Sequence, residues 1–132
     1  MSLRITVLSI PVADQDHALR FYRDVLGFQP RHDIDMGGPR WLTLVSPDAP
    51  DGPEILLEPN ADYPAMAALR EALRSDGIPW TQFGVDDLAA EHARLEAAGV
   101  RFTQGPTEMG GARMAVFDDT CGNLIALVQE PA

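Results

Sequence analysis

The side chains best suited to chemistry are few: three histidines (His17, His32, His92), one cysteine (Cys121), and 20 Asp and Glu against 10 Lys and Arg in 132 residues. No two histidines stand at the i, i+4 spacing that lets one helix face hold a metal. His17 falls in a first helical turn beside Asp14 and Asp16, the place of an exposed residue. His92 lies between Leu88 and Leu95 on the inward face of a second helix, where a hydrogen-bonded packing histidine is expected. His32 shares a strand face with Phe28, Ile34 and Met36, so it is a candidate for a binding cleft, set against a surface or core place. Cys121 stands in a turn with no histidine beside it in sequence, which fits a structural thiol better than a nucleophile. A single cysteine allows no internal disulfide and no cysteine-based zinc site. Asp118 and Asp119 precede the same turn and are expected to shape it.

"DMGGPRW" (35–41) and "EMGGARM" (108–114) carry paired glycines, yet neither precedes a helix, so they are not phosphate loops. Arg40 and Arg113 offer an anion clamp. Ion pairing at a strand end is the competing reading, and the favoured one. The net charge of −10 disfavours nucleic acid and welcomes a cationic ligand or partner, though it also serves solubility. Composition is that of a globular domain, and no apolar run approaches the roughly 18 residues of a membrane span. "MSLRITVLSI" lacks signal-peptide design, so a cytoplasmic place is expected.

Positioning these residues falls to a repeat. Met36 and Met109 are 73 residues apart (109 − 36), as are Val12 and Val85, Asp14 and Asp87, and Arg40 and Arg113. Two related modules are therefore expected. Each begins with a strand ("RITVLSIPV", "PWTQFGV"), then a helix capped by Asp14 or Asp87 and closed by Gly27 or Gly99. Three strands follow: "FQPRHDIDM", "RWLTLVS" and "EILLEP" in the first module, "VRFTQ", "ARMAVFD" and "NLIALVQ" in the second. "YPAMAALREALRSDGIP" reads as a helical connector over about 62–77, between modules of about 3–60 and 78–131 in one domain. The glycine pairs become equivalent turns into the third strand of each module.

The duplicated βαβββ order, the "FYRDVLGF" helix end and the "DDTCGNLIALVQ" terminus resemble the vicinal oxygen chelate superfamily of glyoxalases, extradiol dioxygenases and bleomycin-resistance proteins. The resemblance implies an α+β fold in which tandem modules form curved mixed sheets around a cleft. It also implies a two-fold homodimer. Metal enzymes of that family place ligands on the first and fourth strands of each module. Those positions map to Val7, Trp80 and Ala126, with Glu54, Leu56 or Glu58 sharing one face of the remaining strand. Val7, Trp80 and Ala126 give a metal nothing to bind, so no cofactor is expected.

Alternation then assigns Leu8, Ile10, Val12, Ile55, Leu57, Phe83, Val85, Ile125 and Leu127 to the helix-facing core. The opposite parity lines the cleft with Val7, Ser9, Leu56, Glu58, Trp80, Gln82, Ala126 and Val128. Trp41 and His32 are further candidates for that lining. Such a basin suits a small organic ligand, with Trp80 stacking and Glu58 supplying charge, unless Trp80 merely fills a collapsed cleft. The leading expectation is a metal-free binding protein of the bleomycin-resistance kind. The alternatives are a lyase, isomerase or dioxygenase with an atypical metal site of His32 with Glu54 or Glu58, and acid–base catalysis by Glu58. Whether the protein is an enzyme stays open.

Overall fold

Eight strands and three helices follow one another in the expected order in the computed structural model, which describes residues 2–131. The chain divides into two compact units, Met1–Ala67 and Ala68–Ala132. In the first unit, β1 (Val7–Pro11) leads into α1 (Gln15–Leu19), which continues as a π-helical stretch over Arg20–Val25. Then come β2 (Gln29–Asp35), β3 (Arg40–Val45) and β4 (Glu54–Glu58). The second unit holds β5 (Thr81–Gly84), α3 (Leu88–Ala97), β6 (Phe102–Met109), β7 (Ala112–Asp118) and β8 (Leu124–Gln129). Helix α2 (Pro64–Ser75) runs across the boundary between the units. Both sheets have the same topology, β1-β4-β3-β2 and β5-β8-β7-β6, so the sequence repeat is a structural one. In each, a parallel pair follows from the helical crossover and the rest is antiparallel.

Local chemistry explains the elements. Asp14 caps α1 by accepting the His17 N–H at 3.0 Å, and Asp87 caps α3 through the Ala90 N–H at 3.1 Å. The glycine pairs make the β2–β3 and β6–β7 hairpins. Gly110 and Gly111, at φ 60° and 90°, take the left-handed conformations that a two-residue hairpin demands. Strand β6 runs on through Gly105-Pro106, beyond the expected end at 104. It is an edge strand, where Pro106 forfeits no ladder bond the sheet needs, and two register shifts absorb the irregularity. The first helix was expected to be regular. Instead the Leu26 N–H reaches back to the Phe21 carbonyl, an i→i+5 bond. The wider turn accompanies burial of two consecutive aromatics, Phe21 and Tyr22.

The core faces follow the expected parity for Ile10, Val12, Leu57, Ile125 and Leu127, whereas Ile55, Phe83 and Val85 are half-buried. Ile10, Val12, Leu42, Leu44 and Leu57 are buried with Ala18, Phe21 and Tyr22 in the first unit; Leu88, Leu95, Ala115, Phe117, Ile125 and Leu127 are buried in the second. Leu8 was expected among them but is 60% exposed. It lies near the start of edge strand β1, which among the described residues has only β4 as a neighbour. His92 packs its ring edge-on against Phe102 (centroids 4.5 Å apart) and lies 3.4 Å from Glu96, a packing residue as expected. His17 is exposed.

Candidate functional site

The strand register puts His32, Ile34, Trp41, Thr43, Val7, Ser9, Glu54, Leu56 and Glu58 on one face of the first sheet. Val7 pairs with Glu54, Ser9 with Leu56, Thr43 with Leu56, His32 with Thr43 and Ile34 with Trp41. Six of the residues assigned to the cleft from sequence thus share a face: Val7, Ser9, His32, Trp41, Leu56 and Glu58. Three of its polar groups converge. The buried Thr43 hydroxyl donates to Glu54 Oε1 at 2.6 Å, and the His32 Nδ1 lies 2.9 Å from the same oxygen. The His32 backbone N–H in turn donates to Thr43 Oγ1 at 3.2 Å. The Thr43 hydrogen bond, assisted by His32, outweighs burial and holds the Glu54 carboxyl below its ordinary value.

Glu54, not Glu58, is therefore the carboxylate of this cluster. Glu58 sits at the other end of β4, four residues and roughly 13 Å along the strand. Thr43 went unnoticed in the sequence. Its one signal is a lone hydroxyl inside the apolar run "RWLTLV". Beside the cluster, Trp41 and Ile34 leave an apolar patch open, at 37% and 47% exposure.

Removing the Thr43 hydroxyl tests this wiring. Thr43→Val should cost about 1–2 kcal/mol, the loss of a buried hydrogen bond to a charged acceptor. Glu54 with its lowered value stabilises the fold above the ordinary carboxylate range, and that stability is lost as pH falls through the folded value. The variant should flatten this acid-side fall, as read by urea unfolding between pH 7 and pH 3.

In the second unit, Gln82 pairs with Ala126, and the Trp80 N–H donates to the Leu124 carbonyl at 2.8 Å. Ala126 is buried in a cluster with Val116 and Leu124, against which Met114 and Val128 pack. Trp80 is half-buried beside Arg70, Leu73 and Arg74 of α2, at a crevice of only about 10 Å³. Trp41 is the more open of the two tryptophans. Gln82 lines a pocket of about 460 Å³ with Val128, Asp86 and Glu130, whose two carboxylates favour cationic groups.

Several residues with chemical potential are already engaged. Arg40 donates to Asp33 through Nε at 3.0 Å and to Asp16 through Nη1 at 2.6 Å, which accounts for its raised basicity and leaves ion pairing in place of a clamp. Arg113 lies 3.7 Å from Glu108. Asp119 is buried, and its carboxylate accepts from the Cys121 and Asn123 N–H groups and from Asn123 Nδ2. Burial, with the Asp119 charge beside it, pushes the Cys121 thiol up to about 12. Ellman's reagent should therefore react at pH 8 at least about a hundredfold more slowly with the folded protein than with the urea-unfolded chain.

A divalent ion of the kind the resemblance implies needs histidine and carboxylate donors at several strand positions. Val7, Trp80 and Ala126 offer none. His32 Nδ1 and Glu54 Oε1 bond to each other, and among the described residues no group of three or more His, Cys, Asp or Glu is placed to hold a metal. The residues present do not fit such an ion. None of the described helices is long and apolar enough to cross a membrane.

Tandem βαβββ units, each a four-stranded mixed sheet with a helical crossover, define the class of protein. The chain belongs to the Glyoxalase/Bleomycin resistance protein/Dioxygenase superfamily, whose family model matches residues 4–127. It is 53% identical over 128 residues to the uncharacterized protein YurT of Bacillus subtilis (strain 168), covering 97% of this chain and 100% of that one. Among solved structures it is similar to UcmS2, at 36% identity and a TM-score of 0.81 over 97% of this chain and 98% of that one. It is also similar to TnmS3, an antibiotic binding protein from Streptomyces sp. CB03234. That match has 29% identity and a TM-score of 0.77 over 99% of this chain and 98% of that one.

Proposed function

We propose that the protein binds a small organic molecule without turnover and without a metal, in a sequestration or resistance role, as a cytoplasmic homodimer. The observation that carries this reading is the open face of the first sheet. There an exposed indole and isoleucine adjoin the hydrogen-bonded cluster of His32, Thr43 and Glu54. An apolar platform with few, fixed polar groups is the usual make-up of a site for an organic ligand. Similarity to an antibiotic binding protein along nearly the whole chain supports it. For the homodimer, support comes from the exposed Leu8 on an edge strand, a surface of the kind subunit pairing covers.

The test is titration of untagged protein with a panel of aromatic antibiotics and dyes, followed by tryptophan fluorescence and by mass spectrometry of the recovered compound. Elemental analysis and light scattering accompany it. Saturable binding of an unaltered compound by metal-free dimers is the expected result. Chemical conversion of the compound, tightly held stoichiometric metal, or no binding across the panel would each overturn the reading.

A further inference from the structure

The hydrogen bonds around His32 decide which of its ring nitrogens is available. A carboxylate only accepts, so the hydrogen between Glu54 Oε1 and His32 Nδ1, 2.9 Å apart, belongs to Nδ1. Thr43 cannot supply it, because its single hydroxyl hydrogen goes to Glu54 at 2.6 Å. With Nδ1 protonated, the neutral ring carries its lone pair on Nε2. Among the described residues that nitrogen meets no hydrogen-bond partner, and the side chain is 41% exposed. Cross-strand geometry adds the platform. His32 opposes Thr43, and Trp41 lies two residues along β3 opposite Ile34. This diagonal separation of roughly 7–8 Å is about the span of a two-ring aromatic system.

Building on the small-molecule reading above, we infer that His32 Nε2 accepts a hydrogen bond from a phenolic hydroxyl of a planar aromatic ligand seated on Trp41 and Ile34. The chemistry selects this donor. An anionic group would face the Glu54 carboxylate behind the ring in a chain of net charge −10. An ammonium could donate to the same lone pair but would lose hydration over an apolar patch. A phenol brings an aromatic face for the indole together with an acidic O–H. Any shift of its proton towards Nε2 creates an imidazolium that Glu54 is placed to stabilise. Glu54 and Thr43 act as positioning residues.

The experiment is calorimetric titration with 2-naphthol and with 2-methoxynaphthalene, which keeps the rings but has no O–H. Wild-type protein is expected to prefer the naphthol by about tenfold, the worth of one good hydrogen bond. In His32→Ala the preference should vanish, with the naphthol and the ether bound equally. Glu54→Ala should shrink it by freeing the ring. Equal binding of the two probes by wild type overturns this inference and leaves the small-molecule reading standing. Binding of neither removes both. Long-range ¹⁵N–¹H NMR of the wild-type protein supplies a check independent of any variant. Hydrogen on Nδ1 of His32 is expected, and hydrogen on Nε2 of the neutral ring would overturn the assignment.

Discussion

Asp119→Ala should destabilise the protein by about 3–5 kcal/mol, the scale on which a buried charged partner is lost from a hydrogen-bonded group. Asp119 is fully buried, and its carboxylate accepts from Cys121 N at 2.8 Å, Asn123 N at 3.0 Å and Asn123 Nδ2 at 2.9 Å. Alanine removes the acceptor of all three donors at once. The turn already holds Thr120 at φ 63° and Gly122 at φ 96°, so it has little means of relaxing towards another geometry. Out of a total stability of about 5–15 kcal/mol for a domain, such a loss moves the urea midpoint by a large fraction.

Asp119→Asn retains one acceptor oxygen and should lose roughly half as much. The effect should spread to α2. That helix buries no residue of its own, and it meets the turn through Arg70 to the Cys121 carbonyl, Arg70 to Asn123 Oδ1, and Arg74 to Asp118 Oδ2. Faster amide exchange in the second half of α2 is therefore the accompanying signature. A shift below about 1 kcal/mol would mean that the turn is not held by this carboxylate.

Phe117→Ala is the second large effect, at about 3–5 kcal/mol for an aromatic side chain removed from a packed core. Phe117 has no exposed surface, and its ring centroid lies 5.8 Å from that of Phe102, which in turn meets His92 at 4.5 Å. Truncation removes the β7 ring from a chain of three rings linking β7, β6 and α3, and the strand ladder limits how far the rest collapse. The repeat supplies an internal control. Leu44 stands 73 residues earlier (117 − 73), with the same lack of exposure in the first unit. Leu44→Ala should cost about 2–5 kcal/mol. Chemical denaturation of both variants, alongside wild type, checks the pair. A change under about 1 kcal/mol for Phe117→Ala would place the core of the second unit elsewhere.

Much of this architecture is legible in the sequence because it rests on interactions between near neighbours. Asp14 and Asp87 cap helices three residues ahead of them, and Gly110 and Gly111 make a hairpin from their own freedom at positive φ. The repeat then doubles every such signal, so the order βαβββ can be read twice. Strand alternation also places Ile10, Leu57, Ile125 and Leu127 in the core without any knowledge of their partners. Where an element met an edge, local reading faltered. The sequence reading ends this strand at Gln104, while the sheet lets β6 pass on through Gly105-Pro106 because its outer side needs no partner.

The site is different in kind. Glu54, Leu56 and Glu58 have the same parity on β4, so alternation alone cannot tell which of them meets a histidine 22 residues away from Glu54 in sequence. Pairing of Val7 with Glu54 and of Thr43 with Leu56 decides it, and both are facts of register between strands distant along the chain. The same holds for Arg40, whose two carboxylates come from α1's first turn and from β2, and for Trp80, which α2 borders. The sequence by itself determined the elements, their twofold order and the family, since these follow from periodicity and from residues within a few positions of one another. Only the tertiary structure decided which carboxylate, which indole and which ring nitrogen stand together, because hydrogen bonds across a sheet depend on a register that no single strand encodes.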